Sequence, residues 1–257
     1  MSTKKARALI LAAGRGTRMN SHKTKMLHNI LDRTMIEYVV AALDLDDIER
    51  IELIVGEHNR ADIQAVLGQR VDYILQSNPL GTGHAVRCAE TWLKGFEGKC
   101  VVVVGDAPLL DKLTVSRLLS EFDRDNYAVV LLSAIFDSPP PYGRVVRDSA
   151  GAVIKLVEEK DADSEEKKIC EVSTSHYCFD TKSLFSALHQ ITNQNAQGEY
   201  YLPDVIEIFI RKGLKVGAFP VSDPMVTFGV NTMDDLDRVE KLMRLRKNNA
   251  ITLPESG

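Results

Sequence analysis

Apolar runs of strand length alternate with helix-period segments through the first half of this 257-residue chain, which predicts an α/β fold with a mostly parallel sheet and helices on both faces. The strongest apolar run, Val101-Val102-Val103-Val104, ends in Gly105-Asp106, as a buried strand does where a ligand-facing loop begins. After about residue 137 the rhythm shifts to short paired strands, which predicts a smaller β-rich part.

Taken in order, the pattern predicts strands at 7–12, 50–55, 71–75, 100–104 and 127–135, and helices at 35–45, 61–67, 82–93 and 113–122. Pro139, Pro140 and Pro141 stiffen the next loop. A hairpin follows, with strands at 144–147 and 153–158 and a turn supplied by Asp148 and Gly151. A strand at 172–179, a helix from Thr181, a loop at 192–198, a helix at 202–212, a strand at 215–220 and a last helix at 234–246 complete the reading. The polar segment 247–257 is expected to be a mobile tail.

Charge and composition exclude several classes of protein. With 32 basic and 36 acidic residues the net charge is −4, which argues against a nucleic-acid coat. No apolar run approaches the roughly 20 residues of a membrane helix. The cysteines Cys88, Cys100, Cys170 and Cys178 form no C-x-x-C pair, so reduced thiols and a cytoplasmic location are expected, with packing preferred over metal binding. The first 31 residues hold seven Lys or Arg and no Asp or Glu, a positive segment suited to an anionic ligand.

Three motifs carry the chemistry. Leu11-Ala12-Ala13-Gly14-Arg15-Gly16-Thr17-Arg18-Met19 follows the first strand; its glycines let backbone N–H groups close around phosphate, and Arg15, Arg18, Lys23 and Lys25 add charge. It matches neither the dinucleotide fingerprint nor the P-loop. Asp106, at a strand end, is placed to hold a divalent cation against phosphates, although Asp before a helix also serves as a cap. Gln76, with Leu80-Gly81-Thr82-Gly83-His84, could admit a flat base and read its edge, whereas His84 alone reads as a capping or packed histidine.

The order of these motifs resembles the uridylyltransferase domain of the bifunctional N-acetylglucosamine-1-phosphate uridylyltransferase/glucosamine-1-phosphate acetyltransferases, within the sugar-nucleotide pyrophosphorylase family. The likeness runs over about residues 6–240 and includes Tyr142-Gly143-Arg144, Glu158-Glu159-Lys160-Asp161, Asn195 through Glu199-Tyr200-Tyr201, and Gly229-Val230-Asn231. It implies a Rossmann-like nucleotidyltransferase fold, with a nucleotide-binding part at about 1–136, a sugar-binding part at about 137–232 and a C-terminal helix. Leu11, Ala12, Ala13, Gly14 and Gly16 would line the nucleotide pocket, Gln76, Gly81 and Thr82 would read uracil, and Arg18 and Lys25 would act on the phosphates. Asp106 and Asn231 would ligate Mg²⁺, while Gly143, Glu158, Ser173 and Glu199 would border the sugar.

The implied reaction joins UTP and a sugar 1-phosphate, with N-acetylglucosamine 1-phosphate the first expectation, to give UDP-sugar and pyrophosphate. Another sugar- or alcohol-phosphate acceptor on the same fold is the alternative, followed by a non-catalytic nucleotide-sugar-binding regulator. Small-molecule substrates are expected, with neither nucleic acid nor membrane as partner, and the oligomeric state is left open. Ser173-Thr174-Ser175 stands where the family usually has Asn-Thr-Gly, so the sugar half is where this chain departs. The family's second domain, a β-helix of hexapeptide repeats, is not expected within these residues, nor is its acetyltransferase activity.

Overall fold

The computed structural model describes residues 5–19, 21 and 23–252, with the side chains of 248–252 excluded. Its centre is a sheet in the order β5-β4-β1-β6-β10-β7-β11, built from β1 (Ala6–Leu11), β4 (Ile48–Val55), β5 (Asp72–Leu75), β6 (Lys99–Val104), β7 (Tyr127–Ile135), β10 (Glu171–Asp180) and β11 (Lys215–Pro220). Neighbours are parallel except at β10, which runs antiparallel to both β6 and β7. A short hairpin of β2 (Asn29–Ile30) and β3 (Arg33–Thr34) precedes the first helix. The predicted hairpin is β8 (Arg144–Arg147) with β9 (Val153–Val157), attached to the sheet through Val172 of β10 and Arg144.

Period-two alternation distributes the core over both faces of the sheet. Leu9, Ile54, Val102, Tyr177 and Phe179 pack on one side with α3 (Thr82–Arg87), α5 (Thr181–Leu188) and α6 (Asp204–Arg211). Ile10, Leu53, Val101, Val103 and Cys178 pack on the other with α1 (Met35–Leu43), α2 (Arg60–Leu67) and α4 (Lys112–Asp123). The core positions of β6 are buried on both faces, as its uninterrupted valines require. A third cluster joins Met19, Met35, Val230, Leu236 and Val239, and so packs α7 (Met233–Thr252) against the first glycine loop.

Two boundaries differ from expectation by more than two residues. The segment predicted as one helix over 82–93 stays α-helical only to Arg87, because the amides of Ala89, Glu90 and Trp92 bond carbonyls three residues back and tighten the chain into turns. The last helix continues to Thr252, so 247–252 belong to α7 and are not a tail; a polar helix segment shows no apolar stripe by which to recognise it. Residues 253–257, the remainder of the expected tail, lie outside the described residues. Among the described residues no helix is long and apolar enough to cross a membrane.

Candidate active site

The carboxyl ends of the parallel strands β1, β5 and β6 lie along one edge of the sheet, and the segments that follow them, with Glu199 and Asn231, line a cleft of about 350 Å³. Leu11, Ala13, Gly14, Gly16, Arg18 and Lys25 form one wall, and Gln76, Gly81, Thr82 and Glu199 another. A smaller cleft of about 180 Å³ adjoins it, lined by Tyr142, Gly143, Glu158, Ser173, Thr174 and Ser175. Val104, Asp106 and Asn231 line both, so the two spaces meet at these residues.

Charge is concentrated at that junction. Lys25 Nζ donates to Asp106 Oδ2 at 2.5 Å and to Asn231 Oδ1 at 3.0 Å, and an Arg18 guanidinium nitrogen donates to the same Asn231 oxygen at 2.7 Å. Lys25 is 8% exposed, so its charge acts where solvent screens little. Gly16 makes this possible: its φ is +62°, and a Cβ there would lie 2.6 Å from Lys25 Cβ.

Asn231 is fixed from both sides. Its Nδ2 donates to Gly229 O at 3.2 Å, which turns Oδ1 toward the cations. Its backbone N–H and that of Thr232 both donate to Asp235 Oδ2, while Thr232 Oγ1 accepts from Asp235 N, a reciprocal cap that starts α7. Val230 N donates to Asp106 O at 2.8 Å, and Gly229 N donates to the Tyr142 hydroxyl at 3.0 Å, which ties the segment to both clefts.

Two hard oxygens, one anionic, thus converge on a single cationic atom. That donor set suits Mg²⁺, which typically takes one or two carboxylate or carbonyl ligands and completes its shell with water and substrate phosphates. Among the described residues no group of three His, Cys, Asp or Glu gathers as an all-protein metal cage. Asp106 and Asn231 could together hold such an ion.

Most of the expected residues come together, with instructive exceptions. Ala12 stands behind the wall: it is fully buried, its N–H donates to Ile54 O and its carbonyl accepts from Asn59 Nδ2, leaving no polar group to offer. Of the four cations in the first loop only Arg18 and Lys25 line the cleft; Lys23 Nζ reaches Asn29 Oδ1 instead. Glu199 lines the larger cleft rather than the smaller. Gly81, at φ +107°, lets this happen, since a Cβ there would strike the Tyr200 carbonyl at 2.6 Å and the Glu199 side chain at 2.9 Å. Thr82 lines the cleft while its hydroxyl accepts from Leu202 N at 3.0 Å.

The smaller cleft has a distinctive wall. Between Ser173 and Tyr177 the β10–β7 register slips, with three residues of β10 between those paired positions against one of β7. In this bulge Ser175 takes the left-handed conformation at φ +59°, and Thr174 Oγ1 donates to Leu132 O at 2.7 Å. Ser173 Oγ lies 3.2 Å from the Tyr177 hydroxyl, so its hydroxyl is engaged within the wall. His176 is wholly buried, its Nδ1 bonded to Thr174 O, and burial pushes its pKa down to about 4. Burial, with repulsion from Asp204, Asp161 and Glu199, pushes the Glu158 carboxyl up to about 6.

Sequence reasoning missed Asn59, and named Asn195 only as part of a motif, without the positioning role that each plays. Asn59, 1% exposed, bridges the Ala12 carbonyl and Gly56 N–H and so sets where the first loop leaves β1. Asn195 grips the Glu199 backbone through both ends of its amide. Buried or doubly bonded asparagines in loops carry no periodic signal, and only their type, suited to bridging backbone groups, hints at the role.

The chain is similar in sequence to known proteins. Three similar curated proteins, each named bifunctional protein GlmU, come from Halalkalibacterium halodurans, Bacillus velezensis and an Exiguobacterium species. The first is 44% identical, over 95% of this chain and 53% of its own length. The second is 43% identical, over 96% and 55%, and the third 46% identical, over 95% and 54%. The chain therefore spans about half the length of these relatives. The family model described as the MobA-like NTP transferase domain matches residues 8–201, three quarters of the chain, and the protein belongs to that family.

Proposed function

We propose that the protein is a sugar-1-phosphate nucleotidyltransferase that uses UTP, with N-acetylglucosamine 1-phosphate as the acceptor. The observation that carries this reading is the junction of the two clefts, where Arg18, Lys25, Asp106 and Asn231 meet within hydrogen-bonding distance. The larger cleft, floored by the glycine loop and closed by Gln76, suits a nucleoside triphosphate. The smaller suits a sugar ring, and only at the junction could two phosphates approach.

In the proposed reaction a phosphate oxygen of the sugar 1-phosphate attacks the α-phosphorus of UTP in line, the bond to the β-phosphate oxygen breaks, and pyrophosphate leaves. No side chain need act as nucleophile, so the protein's contribution is alignment and charge. Lys25 and Arg18 would face the oxygens on which charge grows, and their fixed positions spare the reorganisation that water would need. Leu11, Ala13, Gly14 and Gly16 would cradle the triphosphate, while Gly143, Glu158 and Ser173 would border the sugar and Glu199 would reach it from the larger cleft. Mg²⁺ held by Asp106 and Asn231 would neutralise phosphate charge.

Engagement of Ser173 with Tyr177 favours a second reading, in which another sugar 1-phosphate is the better acceptor on the same scaffold. Pyrophosphate release from each of the four nucleoside triphosphates, with N-acetylglucosamine, glucosamine and glucose 1-phosphates, tests both. UTP-dependent release fastest with N-acetylglucosamine 1-phosphate is the expected result. Release fastest with another sugar would move the acceptor assignment, and nucleotide binding without any release would replace the enzyme with a binding protein.

A further inference from the structure

Gln76 follows β5, is 4% exposed, and lines the larger cleft. Its Nε2 lies 3.2 Å from Gly81 O and 2.9 Å from His84 Nδ1. A backbone carbonyl can only accept, so the end of the amide that faces it is the NH₂ end. The second proton of that NH₂ then goes to His84 Nδ1, which must be the lone-pair nitrogen, leaving the ring proton on Nε2. Reversing the amide would point its carbonyl oxygen at the Gly81 carbonyl oxygen. Gln76 Oε1 is left as the group free for the cleft: it has no hydrogen-bond partner among the described residues and is not one of the sealed, partnerless atoms.

His84 is itself rigidly placed. It sits in the first turn of α3, where Gly83 N donates to Tyr200 O at 2.8 Å and a Cβ on Gly83 would strike Ile191 Cδ1 at 2.4 Å. Thr82 holds the other side of the same turn through Leu202 N. Burial and the nearby Arg87 keep the ring's pKa below 6.5, which preserves the lone pair on Nδ1 near neutral pH.

We infer that His84 is the positioning residue for base selection: it locks the Gln76 amide so that its carbonyl oxygen, not its NH₂ group, meets the base. This inference rests on the larger cleft being the nucleotide subsite. An acceptor at that place selects a base whose edge offers a ring N–H, as uracil does at N3, and opposes cytosine, whose N3 is a lone pair. The histidine never touches the nucleotide and reads it through the glutamine.

The test compares wild type with His84→Ala and His84→Asn, whose Oδ1 can accept near the position of the imidazole Nδ1. For each protein, dissociation constants of UTP and CTP are measured calorimetrically and kcat/KM for each triphosphate by pyrophosphate release, with melting temperature as the check on folding. In His84→Ala the preference for UTP over CTP should fall about tenfold or more, because the amide is free to present either end. In His84→Asn most of the preference should return. A packing role alone would weaken both nucleotides equally, so an unchanged UTP-to-CTP ratio in His84→Ala, or no recovery in His84→Asn, overturns the inference. If wild type binds neither nucleotide, the assignment of the cleft falls and this inference with it; if it binds UTP without turnover, the binding ratios alone decide.

Discussion

Glu52 gives the sharpest test of the physical reasoning, because its cost to the fold can be worked out and it lies away from the clefts. It sits in the middle of β4, paired in register with Leu9 of β1 and Asp72 of β5, and is 1% exposed. Neither carboxyl oxygen has a hydrogen-bond partner among the described residues. Arg7 is the charge that relieves it most, yet its guanidinium is committed to Glu49 at 2.9 Å and to Trp92 O at 2.8 Å. Burial, helped by Asp72 and Glu49 and opposed by Arg7 and Arg50, pushes the carboxyl up to about 7 from 4.5. The folded chain therefore keeps a proton that the unfolded chain has released, and stability falls as pH rises from about 4.5 to about 7. At about 1.4 kcal/mol per tenfold change in proton affinity, the cost above pH 7 is about 3 kcal/mol, and most of it is absent at pH 5. Glu52→Gln removes the titration and keeps the shape. Urea denaturation at pH 5 and pH 8 should show the variant gaining about 2–3 kcal/mol over wild type between the two conditions, read from midpoints at equal slopes. An equal difference between variant and wild type at both pH values would refute the account of Glu52 as a buried, unrelieved acid.

Three predictions concern the clefts. Asp106→Asn should abolish most turnover across a Mg²⁺ titration while circular dichroism stays unchanged, since a neutral amide is the poorer ligand; wild-type rates at any Mg²⁺ concentration would remove Asp106 from the site. Arg18→Ala should slow single turnover by about 10²-fold and weaken UTP binding less, because its charge would act mainly on the oxygens where charge grows in the transition state; weaker UTP binding with an unchanged single-turnover rate would make it a binding residue only. Ser175→Gly should raise stability by about 1 kcal/mol, or about 2–4 °C in Tm, by relieving the left-handed backbone at φ +59°; no change would mean the bulge holds Ser175 without strain.

The mostly parallel half of the architecture is legible because burial leaves a periodic trace. Val101 through Val104 could be read as a central strand, and Gly105-Asp106 as its ligand-facing end, from residue order alone. Gly14 and Gly16 announced a close approach, which the structure identifies at Gly16 as the passage of Lys25. What stayed hidden depends on contacts between distant segments. Arg18 and Asn231 are 213 residues apart in sequence, and no local pattern pairs them. The bulge in β10 is equally silent: Ser175 is an ordinary serine until its neighbours fix its backbone. The end of α7 was missed for the opposite reason, as residues 247–252 remain helical without an apolar face to mark them.

The slip in β10 has a consequence for how the wall of the smaller cleft could change shape. Tyr177 and Phe179 anchor one core and Cys178 the other, so a one-residue slide of that half of the strand would exchange the two faces and unpack both. The bulge at 174–176 separates those anchors from Ser173 and the cleft wall, and it already holds surplus chain. Slack stored there acts as an expansion joint: the wall can lengthen, shorten or re-aim a side chain while the anchored half keeps its register. Variation in the wall of the smaller cleft is thereby mechanically decoupled from the sheet whose loops carry Lys25 and Asp106.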